Sequence, residues 1–176
     1  MKAISMHITK HACIISLFLS AIHPTLAAEP PQDLEAFRGT WECLDQVGTS
    51  ILKSELSVVQ VDQNLWKTIY VQEQNPLLDR PYRSEGIWGY NSFENKYYRY
   101  IFDNFNGSDL GFSPGFDGAS FVWTGESVFF GDSFEYEGHF VFKDASHYES
   151  CYRSRKLALT PEPWQEMVRS DCKKKS

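Results

Sequence analysis

An antiparallel, up-and-down β-barrel of about nine to ten strands is the fold this 176-residue chain predicts. Three observations carry the prediction. Short aromatic-rich runs alternate with Asn, Gly, Asp and Ser clusters, most clearly from Tyr82 to Glu126. No segment beyond the N-terminal region shows the length and period of a long helix. The tryptophans at 41, 66, 88, 123 and 164 fall on different expected strands, as a sheet curled around one core requires.

The N-terminus stands apart from that pattern. Lys2 and Lys10 precede and flank the apolar run Ala12 to Ile22, which His23-Pro24 ends before the small residues around Ala27 and Ala28. Residues 1–27 are expected to be a secretory signal peptide cut near 27/28, too short in its apolar part to span a bilayer. No cysteine sits just after the candidate cleavage sites, so a lipoprotein anchor is not indicated. Residues 28–176 are then one barrel domain, secreted or periplasmic, with no stable membrane insertion expected. The charge of −6, with few clustered bases, argues against nucleic acid as a partner.

After the leader Glu29 to Asp33, residues 34–37 are expected to form one helical turn capped by Asp33. Arg38-Gly39-Thr40-Trp41 opens the first strand, with Trp41 and Cys43 on one face. Residues 55–61 and 66–72 alternate as a second and third strand, Trp66, Thr68, Tyr70 and Gln72 sharing a side. Residues 74–81 are a loop set by two prolines, and Tyr82 to Tyr90 resumes as strand. Lys96 to Asp103 offers two faces, Tyr97, Arg99, Ile101 and Asp103 against Tyr98, Tyr100 and Phe102; the all-aromatic face is the plainer core. Asn106-Gly107 and Asp117-Gly118 mark hairpins, the second leading into 120–125, and Gly131-Asp132 marks a further turn. Strands follow at 127–130, 133–143 and 147–156. Trp164 to Lys174 fits a helix face and a strand face equally well.

Three cysteines follow the signal segment, so export predicts one disulfide and one spare thiol. Barrel closure makes the first and last strands neighbours and favours Cys43–Cys172; Cys43–Cys151 takes its place if the last segment is helical.

The central stretch resembles an uncharacterised bacterial family of small lipocalin-like (calycin) barrels. The matching residues are Gly89-Tyr90-Asn91, the run from Tyr97 to Asp103, Gly115-Phe116-Asp117 and Thr124-Gly125-Glu126, with Gly39-Thr40-Trp41 as the opening Gly-x-Trp. Asn91 stands where the family has Asp, Ile101 where Trp is usual, and the Gly115 to Asp117 segment is one residue short. The resemblance covers about residues 37–126. It implies a barrel with its last segment as a closing strand, and it implies no reaction.

These features point to non-covalent binding of a small, partly apolar or aromatic ligand inside the barrel. The expected lining is Tyr70, Trp88, Tyr97, Arg99, Asp103 and Trp123, with Arg99 orienting the ligand beside Asp103 or Glu85. No triad, phosphate loop or paired-cysteine motif frames catalytic or metal-ligating residues, and no cofactor is expected. Two alternatives remain: an envelope interaction module with a filled barrel, contacting a protein partner the sequence does not identify near Phe112 to Phe116, and an enzyme using a raised carboxylic acid at Glu85 or Asp103.

Overall fold

The computed structural model describes residues 32–75, 78–160 and 162–176. The expected signal peptide, residues 1–27, lies outside the described residues. Eleven strands form a single antiparallel sheet: β1 (Gly39–Val47), β2 (Ser50–Asp62), β3 (Leu65–Gln72), β4 (Arg83–Asn91), β5 (Lys96–Asp103), β6 (Ser108–Ser113), β7 (Phe116–Asp117), β8 (Ser120–Phe129), β9 (Asp132–Asp144), β10 (His147–Lys156) and β11 (Gln165–Lys174). Chain neighbours pair with one another, except that β6 pairs with β8 past the two-residue β7, and β1 pairs with β11. The result is a closed up-and-down barrel of ten strands, with 70% of the described residues in strand.

The ambiguous last segment is therefore a strand. Its register sets Cys43 opposite Cys172, and the two are joined by a disulfide, leaving Cys151 free. Turn chemistry explains the register elsewhere. Asn106 adopts a positive φ of 63° between β5 and β6, a conformation asparagine tolerates. Phe130 takes φ 51° before Gly131, where a bulky side chain is strained.

One barrel end is plugged by a 3₁₀ helix, Gln32–Phe37. Leu34 and Phe37 are fully buried, and Phe37 packs edge-on against Trp88, Phe121, Phe140 and Phe142. Burying such a ring contributes about 1.5–3 kcal/mol. The Trp41 indole N–H donates to the Phe37 carbonyl at 2.7 Å, satisfying an acceptor the helix end would otherwise orphan. Asp33 is not the helix cap: it lies within the helix and accepts from the Phe116 amide at 3.3 Å, tying the plug to β7.

The two faces of β5 are reversed from the plainer expectation. Tyr97 and Arg99 point inward and are buried, whereas Tyr100 and Phe102 are 46% and 54% exposed. The outer wall is correspondingly uneven. Ion pairs such as Arg153–Glu137, Arg155–Glu135 and Lys143–Glu149 lace β9 and β10, while Ile87, Tyr100, Phe102, Leu110 and Phe112 leave β4 to β6 apolar outside. Glu85 belongs to this outer face, paired with Lys67 and Arg83, which hold its carboxyl below the usual range. It neither meets Arg99 nor serves as a buried acid. Of the five tryptophans, Trp164 lies outside the core, flanked by Arg153 and Arg155.

Candidate functional site

The barrel interior is the candidate site, and its wall changes character along the axis. The plug end is aromatic. Beyond it, inward positions carry Ser54, Thr68, Ser84, Ser150 and Ser170, all buried, where a solidly filled barrel would place larger apolar residues. Two polar clusters sit among these small side chains.

The first centres on Arg99, 1% exposed on β5. Its guanidinium grips the Asp109 carboxylate with two bonds, Nε to Oδ1 at 3.0 Å and Nη2 to Oδ2 at 2.7 Å. Nε also approaches the Tyr136 hydroxyl at 3.0 Å, Nη1 bonds the Tyr152 hydroxyl, and Tyr136 in turn donates to Asp109 at 2.8 Å. The cation lies over the rings of Tyr136 at 4.7 Å and Trp123 at 5.3 Å. Burial alone would lower the Arg99 pKa, but Asp109 and the phenols raise it, so the guanidinium stays charged. Glycines make room for these rings. A Cβ at Gly111 would overlap the Tyr136 hydroxyl, and one at Gly138 would come within 2.8 Å of the Tyr152 ring.

The second cluster joins Asp45 on β1 to Tyr70 and Gln72 on β3. Asp45 Oδ2 accepts from the Tyr70 hydroxyl and from Gln72 Nε2, the latter at 2.8 Å, and Gln72 reaches the Tyr70 oxygen at 3.1 Å. Burial and the Asp45 charge push the Tyr70 phenol well up.

Among the buried polar atoms, the indole nitrogens of Trp88 and Trp123 have no partner among the described residues, nor does Asp45 Oδ1. The two indoles lie 5.5 Å apart, centroid to centroid.

The expected lining is thus partly assembled. Trp88, Arg99 and Trp123 come together, Trp88 opposite Arg99 in register. Tyr97 lies one inward position nearer the plug, against Phe121. Tyr70 belongs to the separate Asp45 cluster. Asp103 does not join Arg99: its Oδ1 accepts the Phe105 and Gly107 amides at 2.8 Å each, so its carboxylate builds the β5–β6 turn. Asp109, rather than Asp103 or Glu85, is the carboxylate that pairs with Arg99. A signal for it was present, because a hairpin at Asn106-Gly107 that sets Arg99 opposite Gly111 leaves Asp109 diagonal to Arg99 on the same face. Asp45, Gln72, Tyr136 and Tyr152 come from distant strands and carry no local signature.

The buried phenols make the fold sensitive to alkali. Burial is the leading cause holding the pKa values of Tyr70, Tyr97, Tyr136, Tyr148 and Tyr152 above the ordinary value of 10.0. These hydroxyls keep their protons to higher pH folded than unfolded. Their contribution is complete below about pH 10 and is lost as pH rises from there towards the folded-state values, by about 1.4 kcal/mol per pH unit for each. Phenolate absorbance and near-ultraviolet circular dichroism, followed together, should show these tyrosines ionising as the fold is lost. Ionisation at about pH 10 with the fold intact would contradict their burial.

Comparison with solved structures finds the same architecture in Rv2717c from M. tuberculosis. The two share 9% identity over 82% of this chain and 96% of that one, with a TM-score of 0.60. A de novo designed fluorescence-activating β-barrel aligns over 81% of this chain and 98% of its own at 10% identity, with a TM-score of 0.45. No family model and no curated protein matches the chain. The likeness to Rv2717c is one of fold.

Proposed function

We propose that the barrel binds a small, partly apolar ligand non-covalently between the aromatic plug and the hydroxyl-lined half. The observation that carries this is the pair of buried, unpartnered indole N–H groups of Trp88 and Trp123 beside the Arg99 guanidinium. A buried donor left unmade costs about 1–3 kcal/mol. A ligand carbonyl or ether oxygen would remove that cost at both indoles, and the surrounding rings would cover its apolar body. Export through the segment at 1–27 and membership of the calycin-like group belong to the same proposal. The disulfide supports export, because such bonds persist in oxidising compartments. No helix among the described residues is long and apolar enough to cross a membrane.

Indole proton–nitrogen correlation spectra test the proposal, with free indole as an added probe. Trp88 and Trp123 resonances, assigned through Trp88→Phe and Trp123→Phe, should shift on titration. Trp41, already bonded to Phe37, should barely move. Unchanged Trp88 and Trp123 signals at saturating probe would contradict interior binding.

The outer apolar face favours a second reading, a protein-contacting module. Tyr100 stands between Ile87 and Leu110 in register, giving a continuous patch across three strands. That reading predicts self-association in sedimentation velocity, removed by Leu110→Lys.

A further inference from the structure

Asp45 is 0% exposed, on the inner face of β1. Its hydrogen bonds both fall on one oxygen: the Tyr70 hydroxyl and the Gln72 amide meet Oδ2, and Oδ1 has no partner among the described residues. Both donors are neutral, so they orient the carboxylate without balancing its charge. The interior's buried cation is committed elsewhere, since Arg99 makes its two-bond contact to Asp109. Arg99 and Asp109 form one ion pair, and Asp45 has no cationic partner among the described residues. Buried charges are normally paired, because desolvation of a lone ion is severe. Water could satisfy Oδ1 but would not balance the charge.

We infer that Asp45 is the specificity residue of the barrel and receives a protonated amine on the ligand, through a charge-assisted hydrogen bond to Oδ1. This rests on the interior-binding proposal above and adds the ligand's chemical class, a small aromatic or apolar monoamine. The site suits an ammonium group in a second respect. Tyr70 and Tyr82, with ring centroids 5.9 Å apart, bring aromatic faces to the same part of the barrel. An acceptor further along such a ligand would meet the Trp88 and Trp123 indoles, so the two ends of the site ask for different groups and fix its direction.

Three probes of matched shape test this: phenethylamine, phenethyl alcohol and 3-phenylpropionate, titrated into the full chain while the Trp88 and Trp123 indole signals are followed. The amine should bind about ten- to a hundredfold more tightly than the alcohol, the span of a charge-assisted bond. The carboxylate should bind most weakly. Asp45→Asn keeps an oxygen for Tyr70 and Gln72 and should erase the preference for the amine while the alcohol still binds. Equal affinity of amine and alcohol in the unaltered protein, or preference for the carboxylate, would overturn the inference and leave interior binding standing. Silence of both indoles towards all three probes would overturn both. The comparison within the unaltered protein decides the matter even if Asp45→Asn does not fold.

Discussion

Replacing Cys43 and Cys172 together with alanine is expected to lower the unfolding free energy by about 5 kcal/mol. The bond spans a sequence separation of 129 residues, so it restricts nearly the whole described chain when unfolded. It also lies on the seam that joins the first long strand to the last, where the two residues already face each other in register. A loss of this size is comparable to the whole stability of a marginal domain. Urea denaturation of the double variant, and of the native protein with and without reductant, measures it. Cys151→Ala should change little. Burial and Glu166 hold the Cys151 thiol's pKa up, so it is a weak thiolate competitor for the pairing. A loss below about 1 kcal/mol in the double variant would show that the chain-entropy argument of the seam does not hold.

Arg99→Met should cost about 3–5 kcal/mol, because it strips the partner from Asp109 and from two buried phenols. From the sequence alone, Arg99 is expected to orient a ligand. Its near-complete burial and its contacts to β6, β9 and β10 predict a structural contribution as well. The double variant Arg99→Met/Asp109→Leu should regain much of the loss, since an apolar pair leaves no orphaned charge. Denaturation midpoints of the single and double variants decide the point. A stable Arg99→Met protein that merely binds its ligand poorly would return Arg99 to a binding role alone.

Much of the fold was legible because it depends on local pattern. Two-residue alternation marks β3, and Asn106-Gly107 marks the turn between β5 and β6. Closure predicts the Cys43–Cys172 pairing once the last segment is a strand. The orientation of β5 was not legible. Alternation separates its faces but does not say which is inside, and three adjacent aromatics look more like core than an arginine does. What settles the matter is long-range: the phenols that satisfy Arg99 stand 37 and 53 residues further along the chain. The role of Asp45 is hidden for the same reason, because its partners lie 25 and 27 residues away on a strand that is not its neighbour. Asp103 shows the opposite failure. It shares the inward face with Arg99, yet two backbone amides in the turn claim its carboxylate first.

Interior binding is tested most directly by native mass spectrometry of the protein purified from the compartment in which it accumulates, set against its denatured mass. The account predicts a reproducible excess of one small molecule that disappears on denaturation and is reduced in Trp88→Phe/Trp123→Phe. A native mass equal to the denatured one, two hydrogens below the fully reduced chain, would contradict the binding proposal while leaving the disulfide-closed barrel intact.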